Sequence, residues 1–109
     1  MTLKNICKKY FQAFSAKNLQ WLDDNSSNMI HLVDWELNIK GKKKFLDANY
    51  QIFKEHPNLK IDLIEQYLDK LVVINIIKIY LSKKNMIKVV DIIEFNKNNK
   101  IIKITAFKG

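Results

Sequence analysis

The sequence has one cysteine, one proline, two glycines and no arginine. A single cysteine, Cys7, can form neither a disulfide within the chain nor a cysteine-based zinc site, so a reducing cytoplasm is the expected compartment. No apolar run reaches the roughly 18 residues that cross a bilayer, and no membrane partner is expected. The first residues, Met1 to Lys9, are interrupted by lysines and lack the apolar stretch and small-residue cleavage site of a secretory leader. The absence of arginine qualifies the net charge of +8, since all 19 basic residues are lysine. Base readout and bidentate phosphate recognition lean on the guanidinium fork, so no nucleic-acid partner is expected. Heavy use of Lys, Ile and Asn together is the mark of an AT-rich coding bias, which loads a surface with lysine whatever the function.

What is present is a chain of 109 residues, 48% of them hydrophobic. That is the size and composition of one globular domain, read here as 1–109. There are no repeats, low-complexity tracts or linkers. With so little Gly and Pro, periodicity carries the reading.

Leu3, Ile6, Cys7, Tyr10, Phe11 and Phe14 recur at helical spacing, predicting an amphipathic helix over 2–16. A short helix over Leu19 to Asp24 follows, capped by Asn18, and then a loop through Asp23 to Asn28. Met29 to Trp35 reads as a strand. A turn through Asn38 to Gly41 leads to a third helix from Lys42 to Glu55, stopped by Pro57. The period then becomes two. Leu59, Ile61, Leu63 and Tyr67 alternate with Lys60, Asp62, Ile64 and Gln66. Leu71 to Leu81 is apolar on both faces, Asn85 to Phe95 is a further strand, and Lys100 to Lys108 closes the chain. Hairpin-length connections between these strands predict an antiparallel meander. The fold class is therefore α+β, with helices covering one face of an antiparallel sheet.

The order of elements resembles the nuclear transport factor 2-like superfamily, which includes the SnoaL-like cyclases and ketosteroid isomerase. Three segments carry the resemblance. Tyr10 to Leu19 is similar to the family's first helix and its exit. Ile39-Lys40-Gly41 before a helix is similar to its strand-Gly-helix joint. Asp91 to Ile101 is similar to its final hairpin, with Asn99 where Gly is usual. The resemblance implies a cone-shaped, curled sheet, no cofactor, a small apolar molecule as ligand and a homodimer. It also implies site residues: Asp34 as proton-shuttling base, with Tyr10 and a protonated Asp91 donating to a developing enolate. The chain departs from the isomerase at Ser26 and Asn49, which stand where supporting tyrosines occur, and at Trp35, which stands where proline follows the base.

Chemistry gives the same residues a second reading. By alternation Asp34 shares a strand face with Ile30 and Leu32, and Asp91 shares one with Val89 and Ile93. A carboxyl on such a face either ends the apolar run at solvent or is desolvated. If desolvated, its pKa rises toward the range useful for acid–base work. Tyr10 sits on the apolar face of its helix, where a core role is the alternative. Phe14, Trp35, Asn49 and Phe53 are the candidate pocket-lining residues, with core packing the alternative for the aromatic ones. His31 falls on the face opposite Asp34, and His56 precedes Pro57, so no two-histidine metal site is expected. Cys7 reads as a buried, inert thiol. Lys78 is the odd polar residue of its strand. Two functions remain open: a cofactor-free isomerase-, cyclase- or lyase-like enzyme, and a non-catalytic ligand-binding or dimerisation module.

Overall fold

Thr2 accepts a hydrogen bond from the Asn5 N–H at 3.2 Å and opens helix α1, Leu3–Ser15. The computed structural model describes residues 1–109. Helix α2, Leu19–Asn25, starts as expected at Asn18, whose side chain accepts from the Trp21 N–H at 3.1 Å. The loop expected after it is absent, because strand β1, Ser26–Val33, begins at the next residue. The reason lies at the end of α2, where carbonyls have no partner within the helix. The ammonium of Lys42 reaches the Asp23 carbonyl at 2.8 Å, and that of Lys100 reaches the Asp24 carbonyl at 2.7 Å. Cations at a helix C-terminus also complement its dipole.

Strand β2, Asn38–Lys40, occupies most of the segment read as a turn. Gly41 follows with φ +97°, a conformation that few side chains tolerate, and its N–H donates to the Ile30 carbonyl at 2.8 Å. Helix α3 then runs Lys42–Glu55, the predicted span. Its first turn carries three lysines and no acidic residue, which opposes the helix dipole. Lys42 is compensated by an ion pair with Asp23 at 3.2 Å.

The remaining chain forms β3 (Lys60–Asp69), β4 (Val72–Ser82), β5 (Asn85–Phe95) and β6 (Ile101–Lys108). The six strands make one sheet in the order β2-β1-β6-β5-β4-β3. The meander is antiparallel as predicted, but the sheet is mixed, because β1 runs parallel to β6. Helix α3 and the short β2 intervene between β1 and the meander, so chain order does not dictate which way β1 pairs.

Irregularities interrupt the pairing at Leu63/Glu65, Tyr80/Ser82 and Glu94/Phe95. Extra residues of this kind bend and twist the strands that carry them. Here they accompany a sheet curled around the helices. The one at Ile64 reverses the predicted alternation, so Gln66 faces inward opposite buried Asn75 and Tyr67 faces out. Lys78 lies on the outer face, in register with Asp62 on one side and Lys88 on the other. Helix α1 lies on β3 and β4, and α3 lies on β1. The enclosed core includes Leu22, Ile30, Phe45, Val73, Ile93 and Ile101, all fully buried.

Two hairpin corners need left-handed backbone. Asn99 has φ +61°, in keeping with asparagine's tolerance of that region. Lys70, between β3 and β4, has φ +55° with no such tolerance. Lys70→Gly is expected to stabilise the chain by up to about 1 kcal/mol, after the entropy that glycine adds to the unfolded state is subtracted. Lys70→Ala is expected to gain nothing. Urea denaturation of both variants checks the pair.

Candidate functional site

The curl leaves a cavity of about 650 Å³ between the helices and the inner face of the sheet. That volume is within the usual range for small-molecule sites, roughly 300–1,000 Å³. Its interior is mostly apolar, with Phe14, Leu32, Ile77, Val89 and Ile104 among the walls. Its mouth carries Glu36, Glu55, His56 and Lys108, a rim of mixed charge. The structure brings Tyr10, Asp34 and Asp91 to this one cavity, together with Phe14, Trp35 and Asn49. Phe53 does not line it. Its ring packs edge-on against Phe14, which does line the cavity, at 4.9 Å.

Asp91 is held by β5, between buried Val89 and Ile93 on the same face. Its carboxyl receives no hydrogen bond from the protein, although the residue is only 5% exposed. Burial, with the Asp34 charge adding to it, pushes the Asp91 pKa up from 3.8 to about 7. The backbone behind it is fixed by Asn75, whose amide donates to the Asp91 carbonyl at 3.0 Å and to the Val73 carbonyl at 3.3 Å. The Asn75 oxygen accepts from Gln66 at 2.9 Å, and Gln66 also donates to the Lys4 carbonyl of α1 at 3.0 Å. Cys7 touches the same cluster. Burial raises its thiol to about 12, with nearby Asn75 working in the opposite direction, so it is protonated and inert.

Tyr10 is fixed by ring contacts with Phe11 at 5.4 Å, Phe14 at 5.9 Å and Trp21 at 6.3 Å. Its hydroxyl has no protein partner at the cavity. Burial raises its pKa well above 10, and the Asp91 and Asp34 carboxylates, ionised at the pH where a tyrosine would titrate, add to that. It therefore stays a donor at any ordinary pH. Asp34 differs from both. It is half-buried at the end of β1, and its Oδ1 accepts from the Glu36 and Leu37 N–H groups at 2.7 Å each. Two charge-assisted bonds fix one oxygen and leave Oδ2 without a protein partner. Trp35 follows in the same turn, 42% exposed at the mouth.

Sequence reasoning did not find the cluster of Cys7, Gln66 and Asn75, nor the charged rim. The signal for Asn75 was available, an amide within the apolar run Val73-Ile74-Asn75-Ile76-Ile77. The rim residues come from three separate segments and carry no local signal.

The Asp91 shift has a consequence for stability. Its folded pKa lies above its unfolded one, so the folded state holds the extra proton between about pH 3.8 and 7. The stabilisation is complete below that window and is lost as pH rises through it, at up to about 1.4 kcal/mol per pH unit. Asp91→Asn is expected to remove this component and to exceed the native chain in stability above pH 7. Urea denaturation of both proteins from pH 4 to 8 reads the difference.

No protein-family model matches the sequence, and no curated protein matches it at a significant level. Solved structures do match. A SnoaL-like protein of unknown function from Burkholderia thailandensis superposes with TM-score 0.88 at 10% identity, over 98% of this chain and 93% of that one. A nuclear transport factor 2-like protein of unknown function from Cytophaga hutchinsonii gives 0.85 at 10% identity, over 100% and 91%. A candidate ketosteroid isomerase from Kribbella flavida gives 0.84 at 14% identity, over 98% and 77%. At such identities the likeness concerns the fold. The chain has the nuclear transport factor 2-like fold, the α+β cone of the SnoaL-like and ketosteroid isomerase-like proteins, as its motifs imply.

Proposed function

We propose that the cavity binds a small hydrophobic carbonyl compound and moves a proton next to its carbonyl, with no cofactor. The observation that carries this reading is the convergence of Tyr10, Asp34 and Asp91 on one mostly apolar cavity, each with a polar atom that has no protein partner. In this scheme the Asp34 carboxylate takes the proton on the carbon next to the carbonyl. Charge moves to the carbonyl oxygen, which accepts hydrogen bonds from the Tyr10 hydroxyl and the protonated Asp91. Asp34 then returns the proton at the same or a conjugated carbon, and the product leaves. Donors already aimed at the place where charge develops need no reorganisation during the step. Cyclase and lyase outcomes use the same enolate with a different second step.

The test is the conversion of a cyclic β,γ-unsaturated ketone to its conjugated isomer, followed by ultraviolet absorbance. Asp34→Asn is expected to lower turnover by about 10²–10⁴-fold with little change in binding. Turnover is expected to fall as pH rises past about 7, where Asp91 loses its donated proton. Ketone binding without conversion would leave the non-catalytic alternative standing.

A homodimer through the outer sheet face belongs to the same reading. The register places Ile76, Val90 and Phe107 side by side, with Ile74 and Ile92 in the next row, and Phe107 is 58% exposed. A second copy of the same face, laid against it, would cover this stripe. Sedimentation is expected to give twice the 12.9 kDa chain mass, and Val90→Lys is expected to give the single chain.

A further inference from the structure

The interior of the cavity holds one more buried polar side chain, and its chemistry is opposite to that of Tyr10 and Asp91. Asn49 is on α3, only 2% exposed, and it lines the cavity. Its Nδ2 donates to the Phe45 carbonyl one turn back at 2.9 Å. That bond fixes the orientation of the amide, because the reverse would set two oxygens against each other. The Oδ1 is then the atom left over, and no protein donor reaches it. Ser26 Oγ is the one side-chain atom in the chain that is both sealed from accessible space and without a partner. The Asn49 oxygen, also without a partner, therefore meets accessible space, and at a residue this buried that space is the cavity.

The walls then divide by hydrogen-bond sense. Helix α1 and strand β5 offer donors, the Tyr10 hydroxyl and the protonated Asp91. Helix α3 offers an acceptor among apolar neighbours such as Ala48 and Ile52. A purely apolar ketone filling the cavity would satisfy the first wall and leave the Asn49 oxygen dry and unpaired, which is costly. We infer that the cavity selects ligands carrying a hydroxyl or N–H donor as well as a carbonyl oxygen, and that Asn49 reads the donor. The ligand class is thus a hydroxy- or amino-substituted hydrophobic carbonyl compound, held by its oxygen at one wall and by its donor at the other. This rests on the proposed use of the cavity as a carbonyl-ligand site.

The test uses three probes of one shape: 2-acetylnaphthalene, its 6-methoxy derivative and its 6-hydroxy derivative. All three carry the carbonyl, and only the last carries a donor. Binding is measured by calorimetry at pH 6, where the naphthol is neutral and Asp91 keeps its proton. The hydroxy probe is expected to bind the native chain about five- to tenfold more tightly than the methoxy probe, the worth of one hydrogen bond. Asn49→Leu and Asn49→Ala are expected to bring that ratio to about one, as the hydroxy probe loses its acceptor and the methoxy probe no longer leaves a dry oxygen behind. Equal binding of the hydroxy and methoxy probes to the native chain overturns the inference and leaves the carbonyl site intact. A preference that persists in folded Asn49 variants overturns it as well. If none of the three probes binds the native chain, the carbonyl-ligand reading fails and takes this inference with it. The native-chain comparison needs no variant, so an Asn49 substitution that does not fold leaves the first criterion in force.

Discussion

A buried carboxyl without a hydrogen-bond partner costs several kcal/mol if it is charged and far less if it keeps its proton. Asp91 is such a group, and much of the molecule bears on how the cost is met. The sheet supplies the burial. Asn75 takes the main-chain carbonyl of Asp91 and Gln66 takes the oxygen of Asn75, so no donor in this cluster is spent on the Asp91 carboxyl. The nearby thiol of Cys7 is itself held protonated and adds no charge. What remains is a neutral acid at the edge of an apolar space, stable to the extent that the core around Val89 and Ile93 stays packed.

Asp34 reaches the same cavity by the opposite route. Its charge is supported by two backbone N–H groups of its own turn, and it keeps contact with solvent. Two residues of one type thus occupy two electrostatic environments within one site. Separated environments are how a pair of carboxyls comes to divide the roles of base and acid. The separation is partly self-made, since the Asp34 charge is one of the two causes that raise Asp91.

Much of this was legible in the sequence, for a physical reason. Strand alternation carries over two residues, so Asp34 shares a face with buried Leu32 and Asp91 shares one with buried Val89 and Ile93. Caps and turn residues are similarly local, which is why Asn18 and Asn99 were readable. The failures are non-local or break the period. The parallel contact between β1 and β6 joins residues about 70 positions apart, and no turn between them dictates it. A single extra residue at Ile64 inverts every later side chain of β3 and exchanges Gln66 with Tyr67. The immediate passage from α2 to β1 depends on Lys42 and Lys100, lysines far off in sequence, reaching the last carbonyls of the helix. Phe53 has the right helical face and the wrong depth, and depth is not encoded in periodicity.

The same lysines explain why the wall carrying Asn49 holds its place. Helix α3 begins with three lysines and no side-chain cap, an arrangement that its own dipole disfavours. Two contacts at that end offset this, the Gly41 N–H to Ile30 and the Lys42 bonds to Asp23. The first ties the start of α3 to the middle of β1, and the second ties it to the end of α2. Seven residues later along α3, the Asn49 amide is locked by the Phe45 carbonyl, so its free oxygen is set by helix geometry and not by a mobile rotamer. The rim, by contrast, mixes Glu36, Glu55, His56 and Lys108 and gives a ligand no consistent charge to follow. The net charge of +8 is therefore a property of the outer surface. Selection falls to the few fixed polar atoms inside, where low dielectric makes each unmatched one expensive.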